Sequence, residues 1–134
     1  MSPHTAEVAI IGAGTAGCFI ASLLDNAGVD CIVIEKSRGL GGRCSRRRVG
    51  SDYDIDLGSP EFSPSKISNP LLKEMLNTWV AAGYLSAWCK DSSRFDTPTI
   101  SRIETLCGTP SMSTWHKKIA SNINTLTQRK GALS

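Results

Sequence analysis

Three stretches near the start of the chain change their hydrophobic period in a set order, and that order predicts a fold. Glu7 to Ile11 is a short apolar run with Val and Ile that stops at Gly12, the pattern of a buried strand. Thr15 to Ala27 then takes helical spacing, with Phe19, Ile20, Leu23 and Leu24 on overlapping turns. Gly28 stands where a helix C-terminus favours a left-handed residue. Cys31 to Ile34 is a second β-branched run, and it ends at Glu35. Strand, helix and strand over roughly 30 residues predict a βαβ unit with parallel strands and a right-handed crossover.

The pattern weakens after this unit. Lys36 to Gly50 reads as irregular, basic and Gly-rich, and Ser51 to Ser68 as mostly loop with a short strand at Tyr53 to Leu57. Asn69-Pro70 opens a helix, with Asn as cap and Pro in the first turn. Its apolar stripe is Leu72, Met75, Leu76, Trp79 and Val80, and Gly83 ends it. Tyr84 to Cys89 reads as a strand, and Ser92 to Leu106 holds a short one near Ile100 to Ile103. A last helix starts near Thr109-Pro110 and finishes near Asn124, with Met112, Trp115, Ile119 and Ile123 buried. A sheet of this kind needs a third parallel strand, expected beside the first. Only Thr125 to Ser134 remains to form it, so the chain reads as one truncated domain over 1–134.

Composition narrows the class. Forty per cent of the residues are hydrophobic and 20% charged, which is globular rather than disordered. Fifteen basic and 12 acidic side chains leave a formal net charge of +3, too small an excess to point to nucleic acid. No apolar stretch approaches the roughly 18 residues that span a bilayer, so no membrane partner is expected. The first residues lack a basic start with an apolar core, which leaves a cytoplasmic location as the expectation. Five cysteines, at 18, 31, 44, 89 and 107, include no CxxC pair. They read as reduced thiols, with Cys18 and Cys31 as small buried hydrophobes, and no metal site is expected.

The chemistry lies in the turn between the first strand and the first helix. Gly12-Ala13-Gly14-Thr15-Ala16-Gly17 fits G-x-G-x-x-G, and Glu35 closes the second strand 18 residues after Gly17. Gly12 permits the tight turn, Gly14 lets backbone approach a pyrophosphate, and Gly17 lets helix and strand pack closely. The helix N-terminus offers N–H groups and the positive end of its dipole to the phosphates. Glu35 can accept hydrogen bonds from a ribose diol, and its charge disfavours the 2′-phosphate of NADP. NAD and FAD both stay open on this motif alone. The plain alternative is a Gly-rich strand–helix turn that binds nothing.

The next segment carries a resemblance. Ile11 to Gly17, then Glu35-Lys36-Ser37-Arg38-Gly39 with Gly41-Gly42-Arg43, then Asp56-Leu57-Gly58, resemble the FAD-dependent amine oxidase superfamily in its renalase-like branch. Trp79 to Gly83 and Gly108-Thr109-Pro110-Ser111-Met112 are weaker echoes. The resemblance implies an α/β, Rossmann-type FAD/NAD(P)-binding domain with FAD extended across it, Arg43 on the FAD backbone and the Asp-Leu-Gly loop near the flavin. NAD enters as electron donor or alternative ligand. The candidate cofactor contacts are Gly12, Ala13, Gly14, Thr15, Ala16, Gly17, Glu35, Lys36, Gly42, Arg43, Gly58, Ser59 and Pro60. Where the superfamily continues with Ala-Gln-Tyr-Phe, this chain has Ser59-Pro60-Glu61-Phe62. Superfamily members are also more than twice as long, and the remainder holds the substrate domain.

Other features read plainly. Arg46-Arg47-Arg48 is a solvated basic loop with one member pairing Asp52, Asp54 or Asp56, and Trp79, Trp88 and Trp115 are core. His116 and His4 form no catalytic arrangement, and no residue stands out as a catalytic acid or base. Three functions compete: a renalase-like oxidoreductase present as its FAD-binding part, a nucleotide-binding module or remnant without turnover, and an NAD-binding protein of another lineage. Gly41-Gly42-Arg43 argues against the third. Free strand edges and apolar stripes without cover predict self-association or a missing C-terminal domain.

Overall fold

A computed structural model describes the backbone of residues 5–94 and 97–127 and the side chains of 5–88 and 104–127. The predicted βαβ unit is present. Strand β1 (Val8–Ile11) runs parallel to β2 (Cys31–Glu35), with Val8 opposite Cys31 and Ile11 opposite Ile34. Helix α1 (Thr15–Asn26) joins them, and the chain turns out of it at Gly28, whose φ of +74° suits glycine. In β2, Cys31, Ile32, Val33 and Glu35 are all buried, whereas β1 alternates half-buried and exposed positions.

That difference in burial marks β2 as the central strand. The third parallel strand accordingly lies beside β2 and not beside β1 as expected, pairing Ile32 with Asn124 and Glu35 with Thr127 across the last strand among the described residues, Asn124–Thr127. Among the described residues the sheet is three strands wide and β1 forms its edge.

Two hairpins correct the sequence reading between these elements. Arg46-Arg47-Arg48 is not a loop: β3 (Arg46–Val49) pairs antiparallel with β4 (Tyr53–Asp56) around Gly50. Nearly all its residues are exposed, so the hairpin buries no face, and β4 falls on the short strand expected at Tyr53 to Leu57. The expected ion pair is there, with Arg46 2.6 Å from Asp54. Strand β5 (Leu85–Arg94) pairs with β6 (Thr97–Gly108), which extends both strands predicted in that region into one long hairpin. Trp88, expected in the core, stands 50% exposed on β5.

Helix α2 (Pro70–Ala81) begins as predicted. The Asn69 side chain accepts the Leu72 N–H at 3.1 Å, and Leu76 and Trp79 are buried; Val80 departs from the stripe and is exposed. Helix α3 (Met112–Ile119) is shorter than expected at both ends. Gly108 still belongs to β6, and Ile123 is buried from a turn beyond the helix, just before the third strand of the parallel sheet, here β7 (Asn124–Thr127).

Aromatic rings join the helices into one core. Phe19 of α1 meets Trp79 of α2 edge-on at 5.8 Å, Trp79 meets Trp115 of α3 at 5.5 Å, and Trp115 stacks on Phe62 at 5.4 Å. Phe62 in turn exchanges backbone hydrogen bonds with Leu106 on β6. This chain of contacts holds α3 against α1, and so places His116 beside the Gly-rich turn.

Candidate functional site

The site is assembled around Ala13, which is fully buried. Its N–H donates to Glu35 Oε2 at 2.6 Å, and its carbonyl accepts the Gly41 N–H at 2.8 Å. Gly12 has a φ of +97°, a conformation that side chains rarely adopt, and its N–H donates to the Ile34 carbonyl at 2.8 Å. The turn is thus tied to both parallel strands and to the segment after β2. A Cβ on Gly17 would overlap the Gly12 carbonyl oxygen, so a glycine there lets α1 start this close to the strand. Gly14 is different: a Cβ there would meet nothing within 4 Å. Its outer side is open, beside first-turn N–H groups of α1 that have no acceptor within the helix.

The Gly-Gly-Arg segment closes over this turn. Gly42 has a φ of +53°, and a Cβ on it would lie 3.2 Å from Gly14 Cα. Gly42–Cys44 forms a single 3-10 turn in which Arg43 is exposed and Cys44 buried. The Arg43 carbonyl accepts the Ser59 N–H at 2.9 Å, and a Cβ on Gly58 would overlap that carbonyl. The predicted residues of all three motifs therefore meet: Gly12 to Gly17, Glu35, Gly42 with Arg43, and Gly58 with Ser59. Ser59 and Pro60 are exposed. Glu61 is turned elsewhere, its Oε2 accepting the Thr105 hydroxyl at 2.8 Å.

Glu35 is 8% exposed, and its second oxygen, Oε1, accepts the Ser37 N–H at 2.8 Å. Burial pushes its pKa up, but the hydrogen bonds from Ala13 and Ser37 outweigh that, with Lys36 helping, and leave the carboxyl below its ordinary range. It is held as an anion at neutral pH. A cavity of about 750 Å³ opens beside it, bordered by Gly42 and by five cations, Lys36, Arg38, Arg46, Arg48 and Lys117, with Asp54 as the other acid. Of this lining, sequence reasoning picked Glu35, Lys36 and Gly42 but missed Ser113 and Lys117, which α3 brings in from far along the chain.

The Cys18 thiol beside the turn is held in its neutral form. Burial first, and the charge of Glu35 second, push the Cys18 thiol up to about 11. Cys18, Cys31 and Cys44 are buried free thiols and Cys107 is half-buried; Cys89 lies outside the residues whose side chains are described. Among the described residues no group of acids, histidines and cysteines could hold a metal, and no helix is long and apolar enough to cross a membrane.

A parallel βαβ unit, a glycine turn open at the helix N-terminus and a buried acid at the end of the second strand define a dinucleotide-binding domain of the Rossmann type. The chain belongs to the NAD(P)-binding Rossmann-like domain family, whose model matches residues 10–79. It is 45% identical over 49 residues to a phytoene desaturase of Neurospora crassa, covering 37% of this chain and 8% of that protein. It is 41% identical over 52 residues to a zeta-carotene-forming phytoene desaturase of Myxococcus xanthus, covering 39% and 10%. Among solved structures, a double mutant of putrescine oxidase from a redesign of its cofactor binding superposes with a TM-score of 0.50 at 25% identity, covering 65% of this chain and 18% of that one. A single mutant from the same redesign gives 0.50 at 22% identity over 74% of this chain and 21% of that one, which speaks for the fold. The matched segments thus span about a tenth of the curated relatives and a fifth of the solved chains.

Proposed function

We propose that this chain is the FAD-binding part of a renalase-like, flavin-dependent oxidoreductase. One observation carries the reading: the Gly-Gly-Arg turn lies directly against Gly14, so a second backbone segment and an exposed arginine border the place where a pyrophosphate would approach. The residues fit an extended dinucleotide. The open side of Gly14 leaves room for phosphates, and the α1 N–H groups would bind them. Arg43 can pair with a phosphate through its guanidinium. The Glu35 oxygens retain lone pairs for ribose hydroxyls beyond the two bonds from backbone. When bound, the flavin would supply the hydride chemistry, and this chain would supply binding and electrostatics. Substrate recognition would fall to a separate domain.

Titration of ligand-free protein with FAD, NAD and NADP is expected to rank FAD tightest and NADP weakest, followed by flavin absorbance and fluorescence. Tighter binding of NADP would overturn the reading. Binding of FAD with no turnover of any amine or dihydronicotinamide would match the cofactor-binding module and not a complete enzyme. The chain on its own is expected to self-associate, because β1 is the sheet edge among the described residues and Ile11 at its end is 80% exposed. Light scattering checks this, and a clean monomer that consumes oxygen with an amine would contradict it.

A further inference from the structure

We propose that His116 is a positioning residue for the phosphate-binding turn: its Nε2 accepts the Thr15 hydroxyl and so fixes the first residue of α1 to α3. This rests on the dinucleotide reading of the turn but concerns a residue outside its motif. His116 is fully buried, and both ring nitrogens have partners. Nδ1 lies 2.8 Å from the Met112 carbonyl, and Nε2 lies 2.9 Å from Thr15 Oγ1. A carbonyl can only accept, so Nδ1 carries the proton. In the neutral ring Nε2 is then an acceptor, and Thr15 must donate.

The Thr15 oxygen also lies 3.7 Å from Cys44 Sγ, whose thiol can donate to it. The hydroxyl is therefore committed inward, and the phosphates are left to backbone N–H groups. The imidazole is wedged as well as bonded. Its ring centre is 4.6 Å from that of Trp115, and a Cβ on Gly41 would be 3.5 Å from Nδ1. One buried ring thus braces the start of α1, the turn at Gly41 to Cys44, and α3.

The neutral state follows from the surroundings. Burial lowers the His116 pKa, against the Met112 carbonyl that raises it. Among the described residues, the groups set against the ring are Thr15 from α1, Gly41 from the segment after β2, and Met112 and Trp115 from its own helix, none of them a carboxylate; the titratable Cys44 thiol meets the Thr15 oxygen. An imidazolium here would turn Nε2 into a donor and force Thr15 to reverse its bond.

The first test is made on the ligand-free full chain, by long-range proton–nitrogen NMR of the imidazoles, assigned with His116→Gln. The proton is expected on Nδ1, and Thr15→Val is expected to raise the His116 pKa, because it removes a donor that favours the neutral ring. A proton on Nε2, or a titration unmoved by Thr15→Val, would overturn the proposal. The second test is FAD affinity. Thr15→Val and His116→Leu should each weaken it roughly 2- to 10-fold, the range of one lost hydrogen bond, and the double variant should be no worse than either single one. His116→Gln, which keeps an acceptor, should bind more tightly than His116→Leu. Additive losses would again overturn the proposal. Failure of the wild type to bind FAD would instead strike the cofactor assignment, and the NMR result would still decide the His116–Thr15 bond.

Discussion

Gly14→Val is expected to remove dinucleotide binding and leave the fold standing, whereas Gly17→Val should damage the fold itself. Both glycines belong to one motif, but they face opposite ways. Gly14 has a φ of −74° and a ψ of −173°, a conformation open to any residue, and a side chain there meets no protein atom within 4 Å. Valine is a poorer helix cap than glycine, which costs the fold about 1 kcal/mol or less. The same side chain fills the space where phosphate oxygens would meet the α1 N–H groups. Loss of two hydrogen bonds to a charged group removes about 3–6 kcal/mol, or roughly 10²- to 10⁴-fold in affinity. A Cβ on Gly17 instead overlaps the Gly12 carbonyl oxygen and lies 3.5 Å from Ile10 on β1. Neither the carbonyl nor the helix can swing aside, because Gly12 is bonded to Ile34 and Cys18 to Gly14. Overpacking of this kind costs about 3 kcal/mol or more, equivalent to a melting temperature lower by roughly 10 °C. Circular dichroism melts and FAD titrations on the two variants decide. Wild-type affinity in Gly14→Val, or an unchanged melt in Gly17→Val, would show the turn to be misread.

The parts of the fold that could be read from sequence are those where burial is one-sided and glycine marks the ends. Val8 to Ile11 and α1 satisfy both conditions, as does α2, opened by Asn69-Pro70 and left at Gly83, while Cys31 to Glu35, buried on both faces, is legible instead as a continuous β-branched run. The hairpin Arg46 to Asp56 lacks one-sided burial, and of its strands only the second, expected at Tyr53 to Leu57, is legible. Both strands are exposed and held by backbone pairing and the Arg46–Asp54 ion pair, and Arg46 to Val49 carries no hydrophobic period. Trp88 misled for a related reason: an aromatic residue suggests core, but which face of a strand is covered depends on elements far away. The position of β7 is also a long-range matter, since local pattern says that a segment can be a strand and not which neighbour it chooses. The site divides in the same way. Gly12, Gly14, Gly17 and Glu35 follow from spacing, because one short unit carries them all. His116, Ser113 and Lys117 arrive through the packing of Trp115 on Trp79 and Phe62, which no local motif encodes.

Glu35→Gln is expected to weaken both the fold and the dinucleotide site, and to alter how stability depends on acid. The two carboxylate oxygens accept from two different N–H groups, Ala13 on Oε2 and Ser37 on Oε1. Glutamine keeps one acceptor and presents an NH₂ donor in place of the other. One backbone N–H therefore faces a donor in a buried place, at a cost of about 1–3 kcal/mol. If the lost partner is Ala13, the glycine turn loses one of the bonds that hold its buried residue. FAD affinity should fall roughly 10-fold or more, since a hydrogen bond from a ribose hydroxyl to a charged acceptor becomes one to a neutral amide. The sign of the pH effect follows from the lowered pKa of Glu35 in the folded chain. A depressed carboxylate contributes stability that is fully present above the unfolded value, about 4.3, and is lost as pH falls through the folded value. The wild type should therefore lose more stability than Glu35→Gln between neutral pH and pH values below about 4. Urea midpoints of both proteins at neutral and acid pH measure the difference. Equal acid sensitivity would mean that the Glu35 charge is not what the two backbone donors hold, and the carboxylate would lose its place at the centre of the site.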